Sequence, residues 1–120
     1  MIALSLKRIQ KNFYCVEYSQ SDHKLDILEG FLSDLGFLNE YTIENLKNRS
    51  LCGGNVSIIS YADTDIIYIR NQWDSSSDEI LKINKENLYE LIRRWSELWK
   101  QEVKTITLMR DGDNYFIEGE

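Results

Sequence analysis

The sequence predicts an α+β fold in which a mostly antiparallel sheet carries two main helices on one face. Short β-branched and aromatic runs recur along the chain, and Gly, Asn, Asp and Ser separate them. Two longer segments instead carry apolar residues at helical spacing. Runs of strands interrupted by helices are typical of the α+β class. With 120 residues and a hydrophobic fraction of 42%, the chain can form one domain, 1–120, with its own core.

The first third predicts a strand hairpin followed by a helix. Residues 2–9 alternate in the manner of a strand, residues 11–12 form a turn, and residues 13–18 return as an antiparallel strand. Ser21 is the predicted N-cap of the helix, and Gly36 ends it. The predicted inward positions are Ile2, Leu4 and Leu6 on the strand, and Leu25, Leu28, Phe31, Leu32 and Leu35 on the helix.

The middle of the chain predicts a short helix and a second hairpin. The helix runs from Thr42, its cap, to about residue 48, and a Gly-Gly pair then breaks the chain. Residues 56–61 and 66–70 are strands joined by the turn Ala62-Asp63-Thr64-Asp65.

The last third contains the clearest element. A strand at 80–83 leads to Asn84, which caps a helix extending to about residue 101. Strands at 104–110 and 115–118 then flank a strong turn signal, Asp111-Gly112-Asp113-Asn114. The helix carries one apolar stripe, expected to face the core: Leu88, Leu91, Ile92, Trp95, Leu98 and Trp99.

The charge balance limits the partners. Twenty acidic residues against fourteen basic ones give a formal net charge of −6, which repels nucleic-acid phosphate and anionic membranes and attracts basic proteins. The longest apolar runs are short, and no secretory signal pattern opens the chain. We therefore expect a cytoplasmic protein that binds neither nucleic acid nor membrane. Cys15 and Cys52 are expected to be free thiols, with a single disulfide as the alternative.

Catalytic and metal-binding patterns are weak. His23 is the only histidine and is expected to be exposed, with a Cys52–His23 nucleophilic pair as the alternative. Asp63-Thr64-Asp65 and Asp111-Gly112-Asp113 have the spacing of carboxylate metal ligands, but aspartate also closes turns of this kind. The loop 74–79 is expected to be solvated, with calcium binding as its alternative. We expect no cofactor, no metal and no enzymatic activity, since nucleotide-binding and hydrolase motifs are missing from the sequence.

Trp73 is the most informative single residue. A tryptophan in a polar loop either anchors the loop in the core or forms a contact with a partner. If Trp73 contacts a partner, the predicted binding surface consists of Trp73, Asp74, Asp78 and Glu79. Asp63 and Asp65 form a further acidic patch that could contribute to binding. The two patches lie at opposite ends of the strand 66–70, so they need not share one interface, and the loop 73–79 is the preferred binding surface.

The C-terminal third carries a resemblance to a known class. The strand from Ile80 to Asn84, the helix bearing Trp95 and the closing hairpin through 111–118 resemble the small immunity proteins of bacterial contact-dependent and other polymorphic toxin systems. The resemblance implies a short acidic cytosolic protein that binds and blocks one toxin domain, often a nuclease. The alternatives are a small enzyme, a domain binding a small molecule between sheet and helices, and a subunit of an oligomer or regulatory complex.

Overall fold

The computed structural model describes residues 1–10, 13–34, 40–53, 57–61, 64–73 and 80–120. Within these ranges the predicted α+β class and the antiparallel pairing are confirmed, but the strands divide between two sheets where one was predicted. The elements in chain order are β1 (Ile2–Gln10), β2 (Phe13–Ser19), α1 (His23–Asp34), α2 (Glu40–Lys47), β3 (Ser57–Ser60), β4 (Ile66–Asn71), β5 (Leu81–Asn84), α3 (Lys85–Lys100), β6 (Thr105–Asp111) and β7 (Asn114–Gly119).

The larger sheet has the strand order β2-β1-β6-β7, with antiparallel pairing throughout. Leu4 lies opposite Leu108 and Leu6 opposite Ile106, and all four side chains are buried. The alternation predicted for the first strand is therefore confirmed. Its other face remains partly exposed, as is common for antiparallel sheets.

The smaller sheet has the order β3-β4-β5, also antiparallel. Ile69 of β4 lies between Ile59 and Leu81 on the buried face. Helix α1 packs against strands of both sheets, so the buried residues form one hydrophobic cluster. The predicted hairpin of β3 and β4 is confirmed, although its tip at 62–63 lies outside the described residues.

Two predicted helix starts are wrong. The cap of α1 is Asp22, whose Oδ1 accepts the Leu25 N–H at 2.9 Å, whereas Ser21 has a positive φ of 57°. A left-handed residue cannot occupy the extended N-cap conformation, so the next polar residue takes that role. Helix α2 begins at Glu40, before the predicted cap Thr42. The predicted helix end at Leu35 and Gly36 lies outside the described residues.

Helix α3 follows the sequence prediction closely. Asn84 is the N-cap, and its side chain accepts the Glu86 N–H at 2.9 Å. The stripe is buried up to Trp95 and Leu98. Trp99 was expected in the core but is only half-buried; it lies at the core margin, 4.8 Å from the Tyr14 ring and 5.4 Å from the Trp95 ring between centroids.

The glycine that follows Cys52 has a defined structural role. Gly53 has φ 146° and forms an isolated antiparallel bridge with Ile58. A Cβ at this position would lie 2.0 Å from the Ser57 carbonyl oxygen, so only glycine lets the two backbones approach. None of the described helices has the length and apolar content needed to cross a membrane.

Candidate functional site

Trp73 lies just beyond the end of β4 and is 76% exposed. The interpretation of Trp73 as a core anchor is therefore wrong. The backbone N–H of Trp73 donates to Asn71 Oδ1 at 2.9 Å, and this bond fixes the turn that carries the indole. The last paired residues of the sheet are Ser57 and Asn71, and the inward positions of β4 are occupied by smaller aliphatic residues. The chain turns before Trp73 could reach that layer.

The outward face of the small sheet adjoins this turn. Tyr68, Arg70 and Ile80 line a hollow of about 270 Å³ together with Ser60. Lys82 lies opposite Tyr68 in the sheet register. This face therefore offers apolar surface with two cations, and β4, which contributes Tyr68 and Arg70 to it, leads directly into the turn that carries Trp73.

The predicted acidic residues are divided by the structure. Asp63, Asp74, Asp78 and Glu79 lie outside the described residues. Asp65 is exposed and precedes β4, whereas Trp73 follows it; a six-residue strand spans about 20 Å. Asp65 and Trp73 therefore lie at opposite ends of one strand, as predicted.

Asp65 connects the hairpin to α3. Its carboxylate lies 3.3 Å from Lys85 Nζ, and its carbonyl oxygen accepts the Lys85 N–H at 2.9 Å. Both side chains are more than one-third exposed. The backbone bond positions the start of α3, which gives Asp65 a structural role that turn chemistry alone did not predict.

A cleft of about 440 Å³ opens beside this contact, between the end of α2, β4 and the first turn of α3. Its charged lining residues are Lys47, Arg49, Lys85 and Glu86, which leaves a formal excess of two positive charges. Sequence reasoning missed this cluster because the cations are spread along the chain. The sequence indicated only that Lys47 and Arg49 lie near the end of one predicted helix and Lys85 near the start of another.

Two tyrosines form the aromatic wall of the cleft. Tyr61 donates its hydroxyl hydrogen to the Leu51 carbonyl at 2.6 Å, and burial is the main cause that raises the pKa of Tyr61 to about 12. Burial likewise raises the pKa of Tyr89, and Lys47 Nζ lies 5.6 Å from the centre of its ring. Both phenols therefore stay neutral at physiological pH and provide apolar surface beside the cations.

The predicted candidates for catalysis and metal binding are the histidine, the two cysteines and the acidic segments. His23, Cys15 and Cys52 are exposed, and both thiols are free, as expected. The Cys52 thiol approaches the Ser50 carbonyl at 3.8 Å. In the part of the chain that the structure describes, no three His, Cys, Asp or Glu side chains are grouped as metal ligands would be. No protein-family model, curated protein or solved structure matches this chain.

Proposed function

We propose that this chain is a bacterial immunity-type protein that binds a basic toxin domain and blocks it, with Trp73 as the anchor of the interface. The observation that carries the proposal is the 76% exposure of Trp73 on a turn fixed by Asn71. Tryptophan is enriched among the residues that dominate binding energy at protein interfaces. Because the backbone of this turn is already fixed, the turn itself loses little conformational freedom on binding.

The surroundings of Trp73 support a protein partner. The hollow lined by Tyr68, Arg70 and Ile80 adds apolar contact area on the strand that leads to Trp73, and a basic partner would have to place an acidic or neutral group against Arg70. The sequence places three acids, Asp74, Asp78 and Glu79, in the six positions that follow it. Together with the net charge of −6, these acids favour fast association with a basic partner such as a nuclease domain. Inhibition by occlusion requires no catalytic residue in this chain.

The test measures binding to the toxin-like protein encoded beside this one, using titration calorimetry. We expect Trp73→Ala to weaken binding by at least about 2 kcal/mol, or about thirtyfold. Tyr41→Ala is the matched control, because Tyr41 is 73% exposed but lies on α2. Asp74→Ala should mainly slow association, and this effect should shrink at high salt.

Two results would contradict the proposal. One is the absence of binding to any neighbouring gene product. The other is an affinity that Trp73→Ala leaves unchanged and that does not depend on salt.

A further inference from the structure

The cleft beside α3 differs in charge from the rest of the molecule. The whole chain carries a formal charge of −6, whereas the residues lining the cleft carry three cations and one acid. Lys47 is the last residue of α2, Arg49 lies in the turn after it, and Lys85 is the first residue of α3. We propose that this cleft binds the phosphoryl group of a small molecule, independently of the Trp73 surface.

Two of the three cations have ion-pair partners that do not line the cleft. Lys47 Nζ lies 3.8 Å from a Glu44 carboxylate oxygen, and Lys85 Nζ lies 3.3 Å from Asp65. All four side chains are more than one-third exposed, and ion pairs of this kind contribute little to stability. A doubly charged oxyanion in the cleft can therefore replace one or both partners without disrupting the fold.

The third cation, Arg49, lies at the end of α2 in a backbone conformation that favours glycine. The Arg49 N–H donates to the Leu46 carbonyl at 3.1 Å and the Ser50 N–H donates to the Asn45 carbonyl at 2.9 Å, which is the Schellman pattern of a helix end. Arg49 occupies the left-handed position of this motif with φ 57°, where glycine is preferred. The helix end therefore does not require arginine, and Arg49→Gly can remove one cation of the cleft without straining the backbone.

The dimensions and walls indicate the kind of ligand. A volume of about 440 Å³ lies within the range of small-molecule sites, about 300–1,000 Å³. Lysine and arginine are the side chains that bind phosphate oxygens. Tyr61 and Tyr89 provide neutral aromatic surface for the remainder of the ligand. Inorganic phosphate and a small phosphorylated metabolite share this chemistry, and separate probes distinguish them.

The test titrates the full chain with inorganic phosphate, pyrophosphate and AMP, followed by NMR chemical shifts at constant ionic strength set with chloride. We expect saturable shifts of the Arg49, Thr64 and Lys85 amides with at least one probe. Tighter binding of AMP than of inorganic phosphate would identify a phosphorylated metabolite as the ligand, and the reverse order would identify free phosphate. Arg49→Gly should weaken binding at least tenfold while keeping or raising the melting temperature.

Glu102→Gly is the matched control. Glu102 occupies the same left-handed position at the end of α3, with φ 52°, but it does not line the cleft. The Glu102 N–H donates to the Trp99 carbonyl and the Val103 N–H to the Leu98 carbonyl, as at the end of α2. The Glu102→Gly and Trp73→Ala variants should both bind the phosphate probes with the affinity of the wild type. Lys85→Gln should weaken binding. Shifts that chloride reproduces, no saturable binding of any probe, or unchanged affinity in Arg49→Gly and Lys85→Gln would overturn the proposal.

Discussion

At the scale of single residues, Asp22 combines two roles. Its Oδ1 caps α1 and also accepts the Arg110 Nε–H at 2.8 Å, while Oδ2 pairs with Arg110 Nη2. The two side chains are 10% and 18% exposed, so this ion pair is the best shielded from solvent among those of the described residues. The hydrogen bond from Arg110 is the main cause that holds the pKa of Asp22 below its ordinary value.

This pair gives a pH-dependent prediction. Asn keeps the cap but removes the charge, so Asp22→Asn should lower the free energy of unfolding at pH 7 by about 2 kcal/mol. Because the pKa of Asp22 is lowered by folding, this stabilisation is complete above the unfolded pKa of about 3.9 and is lost as the pH falls below it. Urea melts from pH 7 to pH 2 should show the difference between wild type and variant shrinking as the pH falls below about 4.

The control for Asp22 is Asp26→Asn, an exposed acid in the same helical turn. It should change stability by less than about 0.5 kcal/mol. A wild-type advantage over Asp22→Asn that stays constant down to pH 2 would argue against the ion pair as its source.

Trp95 is the second residue whose environment makes a prediction. It is fully buried, and its indole N–H has no hydrogen-bond partner within the described ranges. Trp95→Ala should cost about 3–5 kcal/mol in urea melts, as for other buried aromatic side chains. Trp95→Phe should cost clearly less, because it keeps a ring and removes the unsatisfied donor. A loss below about 1 kcal/mol for the alanine variant would show that the stripe is not core.

At the scale of elements, α3 pairs with one edge strand of the larger sheet, β7. Asn87 Nδ2 donates to the Tyr115 carbonyl at 2.8 Å, and the Tyr115 N–H donates to Asn87 Oδ1 at 2.9 Å. One side-chain amide thus satisfies the outward backbone groups of Tyr115, as a neighbouring strand would at that position. Exposed strand edges favour association with other chains, and covering them prevents it.

Removing this amide should destabilise the junction of helix and sheet. Asn87→Ala leaves two backbone groups of Tyr115 without partners, so we expect a loss of about 2 kcal/mol and faster hydrogen exchange of the Tyr115 amide. Asn87→Asp keeps an acceptor for the Tyr115 N–H but loses the donor. It should protect that amide better than alanine does, and equal exchange rates in the two variants would contradict the pairing.

At the scale of the whole molecule, charge is distributed unevenly. The chain is acidic overall, but the cleft beside α3 is cationic and the face beside Trp73 carries Arg70 and Lys82. Long-range attraction of a basic partner depends on the total field, whereas binding of a small ligand depends on the local one. The two proposed activities therefore use different properties of the same charge distribution.

We also expect chelators to leave the protein unchanged. The described residues contain no metal-ligand cluster, and no segment of the sequence matches the spacing of a calcium loop. The melting temperature should be the same with and without EDTA. A rise on adding calcium that Asp74→Asn and Asp78→Asn abolish would overturn this prediction.

The sequence by itself determined the local features. The alternation of β1, the cap at Asn84, the stripe of α3 up to Leu98 and the turn at Gly112 all follow from the side-chain period or from turn chemistry within a few residues. Gly112 has φ 63° in a two-residue hairpin, as its turn signal predicts. These elements were predictable because neighbouring residues specify them.

Only the tertiary structure decided the sites. Asp22 and Arg110 are 88 positions apart, and the cleft joins Lys47 and Arg49 to Lys85 across a hairpin. The division of strands into two sheets and the exposure of Trp73 likewise depend on which elements pack together. Periodicity shows which face of an element is apolar, but not which other element covers that face. Contacts between distant segments depend on the packing of the whole chain, and local patterns in the sequence do not specify them.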